Sequence, residues 1–462
     1  MRIIVSNDIR IEDPDEKVKN YAEENLVISN PEYIKNARLG YSNYKTPQYL
    51  VFYQINGNQL ILPFGCLQDL FSMYPKEIFE NRIFMNNKVE YKSQIKLFDY
   101  QQQVCDVAVA KRNGIIVMPA GSGKTQTALQ IIAELGLKAL WITHTIDLLN
   151  QSYSRAKANL RNADLGKIAS GKVHIGSHIT FATVQTLNSM DLQEYADEWD
   201  CIIVDECHRV CGSPAKAGMF YKVINKLVAR YKYGLTATPY RNAKGTEKAM
   251  FSLLGKTIIE LGKDVIGDRV IPATIIKVET NFTEIPEECE NTDGTIKYSQ
   301  LTTFLLQNEE RNNLILELLK QCDNNYTLVL TDRVEQMYYL QKKLGHGNVV
   351  DAKTKKDLRE KSIQEVRDGK ENVLFATYGL AKEGLDIPRL DRLILASPHR
   401  DEATIVQAAG RVERKFKNKQ NPIIYDLVDG IYYYEKMFKT RKSYYKKNNN
   451  VIKEGCYDFT FI

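Results

Sequence analysis

No apolar run in this 462-residue chain approaches the ~20 residues that span a bilayer, which argues against a helical membrane protein. The opening MRIIVSNDIRIEDPDE turns acidic before a signal-like apolar core develops, so an intracellular protein is expected rather than a secreted or imported one. Eight cysteines are scattered without a paired rhythm, and the tightest set, Cys201, Cys207 and Cys211, lacks the second half that would close a zinc site. They read as reduced, structural thiols. There is no sequence repeat, low-complexity block or heptad run, which leaves solenoids and coiled coils aside. Net charge is low as well, at +6. Only KMFKTRKSYYKKNNNVIK, near the C-terminal end, gathers Lys, Arg and Tyr together, and it reads either as a contact to a nucleic-acid backbone or as a solvated helix and tail.

What the chain does have is length for about three domains and an ordinary globular composition, 44% hydrophobic and 26% charged. Residues 1–90 carry the alternating segments YLVFYQI and LILPF around Asn56-Gly57, the mark of hairpins in a small N-terminal α+β accessory domain. Over 91–270 the texture changes. GIIVMP, ALWIT, HITFAT, CIIVDE and KYGLTAT alternate with helical stretches, a rhythm that predicts a parallel sheet. A mixed stretch from Asn242 to Asn281 interrupts it, and over 271–462 it resumes with TLVLTD, NVLFAT, DRLILAS and PIIYDLV. The expected fold is α/β, with two tandem parallel-sheet domains behind the accessory one.

GIIVMP runs into Ala120-Gly121-Ser122-Gly123-Lys124-Thr125 and then into the helix-compatible QTALQIIAEL, the context of a phosphate loop. Glycines let backbone N–H groups close around phosphates at a helix N-terminus, where the partial positive charge favours an anion. Lys124 would then reach the β- and γ-phosphates of ATP, and Thr125 would place its hydroxyl on Mg2+. Met118 stands where the strict GxxxxGK[ST] pattern has its first glycine, and the competing reading of the loop is a chance turn. Further on, the buried-strand run Cys201-Ile202-Ile203-Val204 ends in Asp205-Glu206-Cys207-His208. Adjacent carboxylates at such a strand end are costly unless employed. Asp205 suits a Mg2+ ion and Glu206 suits orienting and deprotonating the attacking water, where an isolated acidic pair would be solvated surface.

With these residues the chain resembles superfamily 2 helicases over roughly residues 97–430. Leu97-Phe98-Asp99-Tyr100-Gln101 is similar to the family's adenine-recognising segment, which implies ATP contacts for Tyr100 and Gln101. Gly121 to Thr125 resemble motif I, Asp205 to His208 motif II in its DECH form, and Thr236-Ala237-Thr238 motif III. Thr377 with Gly384, Leu385 and Asp386 resembles motif V, and Gln407-Ala408-Ala409-Gly410-Arg411-Val412-Glu413-Arg414 has the QxxGRxxR form of motif VI. The resemblance implies two RecA-like domains that close on ATP, with Gly384 and Asp386 near the nucleotide. His208, Thr236, Thr238 and Gln407 would couple nucleotide state to nucleic-acid grip. Arg411 and Arg414, three residues apart and expected on one helix face, would cross from the second domain to neutralise charge on the transferring γ-phosphoryl group. Implied nucleic-acid contacts are Thr143, His144 and Gln151, then Thr183, Gln185 and Thr186, then Thr331, Arg333 and Thr377. The alternative use of these side chains is in helix caps and strand-end hydrogen bonds.

The DECH and QAAGRVER forms resemble DNA-directed members more than DEAD-box RNA helicases. Asn30-Pro31-Glu32-Tyr33, Arg38-Leu39-Gly40 and Leu62-Pro63-Phe64-Gly65 resemble phage-encoded branch-migration and fork-remodelling helicases of the UvsW type, and more distantly the helicase subunits of restriction and repair complexes. That implies single-stranded, forked or branched DNA as partner, junction binding for residues 1–90, and the cytoplasm of a bacterium or phage-infected host. Besides a DNA-remodelling ATPase, the sequence leaves open an RNA helicase and the translocase component of a restriction or repair assembly. The latter needs a partner nuclease, because no nuclease-like cluster of acids and lysine stands out. A non-catalytic nucleic-acid scaffold is the third class, and the intact Lys124, Asp205, Glu206, Arg411 and Arg414 argue against it.

Overall fold

Runs such as Leu140-Trp141-Ile142 and Ile202-Ile203-Val204 offer water no polar face, so they belong in a sheet covered on both sides. The computed structural model, which describes residues 1–462 apart from 87, 120, 239–246, 263–264, 266–269, 383–384, 386 and 455–462, places them there. The chain divides into two units, Met1–Val265 and Ile266–Ile462.

In the first unit the central strands Asn113–Val117, Ala139–Thr143, Ile179–Thr183 and Cys201–Asp205 are buried at every residue. They belong to an eight-stranded sheet in the order 172–174, 165–169, 179–183, 139–143, 201–205, 231–236, 113–117, 257–260. All neighbours are parallel except Lys172–His174, which runs antiparallel to Leu165–Ala169. Residues 2–81 form a second, five-stranded sheet. Its hairpin pairs Gln54–Asn56 with Gln59–Pro63 across Gly57-Asn58, as the turn signal predicts, and the helix Glu16–Asn25 packs Val18 and Ala22 inward. This N-terminal sheet shares one continuous core with a face of the larger one: Ile9, Leu62, Phe64 and Leu70 lie in the same cluster as Ile202, Val204, Leu253 and Leu254. The approach is close enough that a Cβ on Gly65 would stand 2.1 Å from the carbonyl oxygen of Phe251.

Among its described residues the second unit holds a sheet of seven strands, all parallel, in the order 348–350, 373–377, 327–331, 392–395, 423–429, 274–280, 451–453. Thr274–Thr280 falls within the stretch read from sequence as mixed. Its seven residues pair along their whole length with Ile423–Asp429, a partner no local pattern could announce. The cationic, Tyr-rich segment is helical, as one of its two sequence readings has it, but packed rather than a free tail. Tyr432–Lys447 is a helix that buries Tyr434, Phe438, Arg441, Tyr444 and Tyr445, and Val451–Lys453 adds the last strand. Arg441 grips the buried Asp426 with two bonds, of 2.8 and 2.7 Å, and Tyr445 donates to the same carboxylate at 2.7 Å. Among the described residues no helix is long and apolar enough to cross a membrane, and the seven described cysteines are unpaired, six of them buried.

One buried charge at the seam in the first unit has a measurable effect. Lys232 is 1% exposed, donates to the carbonyl of Leu227 at 2.9 Å and lies 4.4 Å from the ring centre of Phe64. Burial pushes its ammonium down to about 7, with Asp8 pulling weakly the other way. The folded protein therefore binds fewer protons than the unfolded chain between about pH 7 and 10, and stability rises with pH through that window. Lys232→Met is expected to stabilise the protein by about 1–3 kcal/mol at neutral pH, with a gain that shrinks toward pH 10, in urea titrations at several pH values. A gain that stays constant with pH would contradict this account.

Candidate nucleotide and nucleic-acid site

The strand Asn113–Val117 delivers the chain to residues 118–123, and the 12-residue helix Lys124–Leu135 starts directly after. Met118 is fully buried among the core residues of that face, and its N–H bonds the carbonyl of Thr236 at 3.0 Å. Met118 thus carries the sheet's hydrogen bonding one residue past the strand, at the position where the strict loop pattern has its first glycine. Gly121 and Gly123 have φ of 81° and 83°, the left-handed region that a side chain disfavours. Ser122 is buried; its hydroxyl donates to the carbonyl of Pro119 at 2.7 Å, and its own carbonyl accepts from Gln101 Nε2 at 2.8 Å and Tyr100 OH at 3.1 Å. Gln101 Oε1 in turn accepts from the N–H of Phe98 at 3.1 Å. One end of the Gln101 amide thus braces the loop, and the other caps the helix that carries it. Lys124 Nζ donates to the carbonyls of Met118 and Pro119 at 3.2 and 3.4 Å, so the ammonium sits over the loop.

The strand Cys201–Asp205 lies two strands away from the loop strand, with Tyr231–Thr236 between them. Glu206 follows at φ 51°, ψ 49°, a conformation rare for a residue with a side chain and one that costs about 1–3 kcal/mol. Such strain persists where the surroundings fix a side chain in a required place. His208 Nδ1 lies 3.2 Å from Glu206 Oε2 and 3.1 Å from Thr236 Oγ1, and Thr236 Oγ1 accepts from the N–H of Thr238 at 3.0 Å. The acidic segment and the Thr236-Ala237-Thr238 segment are therefore joined through one imidazole. Burial pushes the Asp205 carboxyl up, the charge of Glu206 pushes it further, and Lys124 and Arg155 pull it back only in part. Burial also raises Glu206, but the His208 contact and the charges of Lys124, His208 and His144 outweigh it and hold this carboxyl low.

This donor set fits a nucleoside triphosphate with Mg2+. A glycine loop at a helix N-terminus suits the phosphates, and a buried carboxylate with too little positive charge around it suits a dication. Sequence reasoning missed Arg155, on the helix Ile146–Asn159, whose Nη1 donates to Thr125 Oγ1 at 3.0 Å. Its only sequence signal is its place one turn after Gln151, on the same helix face.

The candidate strand contacts divide into two groups. Thr143, His144, Thr183 and Thr186 are buried at the ends of the adjacent strands Ala139–Thr143 and Ile179–Thr183. Thr143 Oγ1 donates to the carbonyl of Thr145 at 3.1 Å and Thr183 Oγ1 to Thr186 Oγ1 at 3.0 Å, so these hydroxyls fix local geometry. Gln185 is exposed and donates to the carbonyl of His144 at 2.8 Å, and Gln151 is half-buried. In the second unit Thr331 Oγ1 donates to Gln336 Oε1 at 2.5 Å and accepts from the N–H of Arg333 at 3.3 Å, while Thr377 is half-buried at its strand end. Gln407 and Arg411 share a face of the helix Glu402–Val412, and Arg411 Nε donates to the carbonyl of Ala381 at 3.2 Å. Arg414, expected on that face, lies beyond the helix and makes a bridge with Val270. The helix stops because Glu413 is fully buried and its carboxylate takes Asn450 Nδ2 at 2.7 Å and the N–H of Ala273 at 3.3 Å. Ala120, Gly384 and Asp386 lie outside the described residues.

Fold and site together define an α/β enzyme with tandem RecA-like domains that hydrolyses ATP. Residues 94–241 match the family described as "Type III restriction enzyme, res subunit", and residues 310–415 match the "Helicase conserved C-terminal domain". The chain is a superfamily 2 helicase, an ATP-dependent enzyme of nucleic acids. It is similar to "Putative ATP-dependent RNA helicase L396" of Acanthamoeba polyphaga mimivirus, at 26% identity over 95% of this chain and 80% of that protein. It is 28% identical to "DNA 3'-5' translocase XPB2" of Sulfurisphaera tokodaii over 72% of this chain and 82% of that one. Among solved structures, the "ATP-dependent Type ISP restriction-modification enzyme LlaBIII bound to DNA" superposes with a TM-score of 0.52 at 21% identity, covering 72% of this chain but 28% of that one. This last likeness is one of fold.

The brace between loop and glutamine is open to test. A Cβ on Gly123 would stand 2.4 Å from Gln101 Nε2, at a φ that L side chains disfavour. Gly123→Ala is expected to weaken ATP binding about ten-fold or more with the fold retained, as read by fluorescent-nucleotide titration and circular dichroism. Adding Gln101→Ala should recover part of that loss by removing the clash. Unchanged affinity in Gly123→Ala would remove the loop from the nucleotide site.

Proposed function

We propose that this helicase is a DNA-dependent ATPase that moves along DNA and unwinds or remodels forks and four-way junctions. The observation that carries the coupling is the His208 imidazole, which touches both the hydrolytic carboxylate Glu206 and Thr236. A change in charge at Glu206 is felt at once by the segment ending in Thr238. In this reading Tyr100, Gln101 and residues 120–125 hold ATP together with Gly384 and Asp386. Thr125 and Asp205 hold Mg2+, which when bound supplies the charge that offsets the phosphates. Glu206 orients and deprotonates the attacking water, and Lys124, Arg411 and Arg414 supply cations for the transferring phosphoryl group.

The preference for DNA rests on the DECH and QAAGRVER forms and on the similarity to the DNA translocase of Sulfurisphaera tokodaii. Gln151, Gln185, Arg333 and Thr377 are the strand contacts that remain accessible or half-buried, and the grip they give is sequence-independent and weakened by salt. Residues 1–90 act as the junction-gripping part, 91–270 as the first motor domain and 271–462 as the second. The strongest support for junction work is the shared core of the N-terminal sheet and the first motor sheet, since whatever that sheet holds travels with the lobe that hydrolyses ATP.

ATP hydrolysis measured alone and with single-stranded, duplex, forked and four-way DNA, and with RNA, tests the reading. Stimulation of about ten-fold or more by DNA, greatest for branched forms, is expected. No stimulation by any nucleic acid would sink the motor, and stimulation by RNA alone would favour the RNA helicase. Glu206→Gln is expected to reduce turnover by about 10²–10³ or more while keeping nucleotide affinity, and Arg411→Ala to reduce it by about 10³–10⁵. Normal turnover in either would break the assignment of that residue.

A further inference from the structure

Thr125 and Asp205 are the side chains that suit Mg2+, and one resident cation of the chain acts on both. Arg155 Nη1 donates to Thr125 Oγ1 at 3.0 Å, and the charge of the same guanidinium is among those drawing Asp205 toward its ionised form. The group is half-buried, and the helix that carries it is fixed against the sheet by Leu149, Ser152 and Ala156, which flank Arg155 along the chain and are fully buried. Its backbone carbonyl accepts from Asn159 Nδ2 at 2.7 Å. The guanidinium is therefore a charge placed by its helix and by its bond to Thr125.

A threonine hydroxyl has two lone pairs and one hydrogen. The bond from Arg155 engages a lone pair of Thr125 Oγ1, the atom a magnesium ion would need within about 2.0–2.1 Å in a strict octahedron. A guanidinium and a dication repel one another and compete for the same oxygen. We propose that Arg155 is a stand-in cation for the metal: it holds Thr125 Oγ1 in the nucleotide-free protein, and it gives way when Mg2+ arrives with nucleotide. Its work is to keep the acidic site assembled while empty and to set how much Mg2+ is needed to load it. Nothing in the motif resemblance assigns it this role, and the inference rests on Thr125 and Asp205 being the metal-holding pair.

The test follows the metal rather than turnover. Binding of a fluorescent ADP analogue to the full chain is titrated with MgCl2, and repeated in EDTA, for wild type, Arg155→Met and Arg155→Lys. The proposal expects Arg155→Met to lower the half-saturating Mg2+ concentration by about ten-fold, with affinity in EDTA unchanged and the melting temperature of the nucleotide-free protein in EDTA reduced. Arg155→Lys, which keeps the charge without the planar fork, should fall between the two. An unchanged Mg2+ requirement in both variants would overturn the proposal. So would weaker binding with and without Mg2+, which would place Arg155 on the phosphates instead. Failure of the wild-type protein to bind the analogue would overturn the nucleotide-site reading along with it.

Discussion

Two neighbouring carboxylates stand at the end of a strand whose other residues are all buried, and much of the first unit is arranged around their need for counter-charge. Removing an ion from water costs several kcal/mol even after relaxation, so Asp205 and Glu206 require cations brought from elsewhere in the chain. Lys124 comes from the loop, Arg155 from the helix Ile146–Asn159, and His208 from the turn that follows. The strand order makes this possible. Ala139–Thr143 and Tyr231–Thr236 flank Cys201–Asp205 in parallel register, so their ends present His144 on one side and Thr236 on the other. The site is thus a consequence of topology, and the strained backbone of Glu206 is where the requirement of chemistry overrides local preference.

The second unit uses buried charge for a different purpose. Arg311, 2% exposed, donates to both oxygens of the fully buried Asp429, at 2.8 and 3.4 Å, and to the carbonyl of Ala396 at 2.6 Å. Arg441 does the same with Asp426. Each arginine sits on a helix and each acid on the strand Ile423–Asp429, so the two pairs fix two helices in register against one strand. Apolar packing alone would hold those helices with comparable free energy but less directional control. Glu413 extends the pattern. By taking Asn450 and the N–H of Ala273 it ends the helix that carries Arg411 and sends Arg414 out along Val270.

Sequence reasoning reached what is local and missed what is paired at a distance. The runs from Asn113–Val117 to Ile423–Asp429 are legible because a central parallel strand, covered on both faces, is apolar along most of its length. The Gly57 turn is legible because few residues fit it. Thr274–Thr280 is not, since Lys277 and Glu279 break its apolar run and its partners lie far along the chain. That the helix Tyr432–Lys447 packs inward is hidden by composition: lysines occupy its outer face, and the inward face is tyrosine, phenylalanine and a paired arginine rather than leucine. In the site, the phosphate loop and acidic pair are contiguous in sequence and so were visible. The Arg155 contact and the Gln101 brace depend on elements that meet only after folding, and Arg414 was misplaced because helix ends are set by tertiary partners such as Glu413.

The N-terminal sheet raises a question of mechanics that its own residues do not answer. A module on a flexible tether can raise local concentration of a ligand but transmits no displacement. Here the contact at Gly65 is backbone on backbone, against the carbonyls of Phe251 and Ser252 with no room for a single Cβ, and one apolar core is continuous across it. An interface of that kind does not open without exposing the interior of the first parallel sheet, so residues 2–81 and that sheet move as one body. Lys232, buried at the seam beneath Phe64, reinforces the point: a lysine is kept there at a cost in stability, on a strand whose far end carries Thr236. Under the proposed function, a grip by the N-terminal sheet is therefore rigidly indexed to the strand ends that sense the nucleotide, and its substrate is displaced with that lobe rather than merely held nearby.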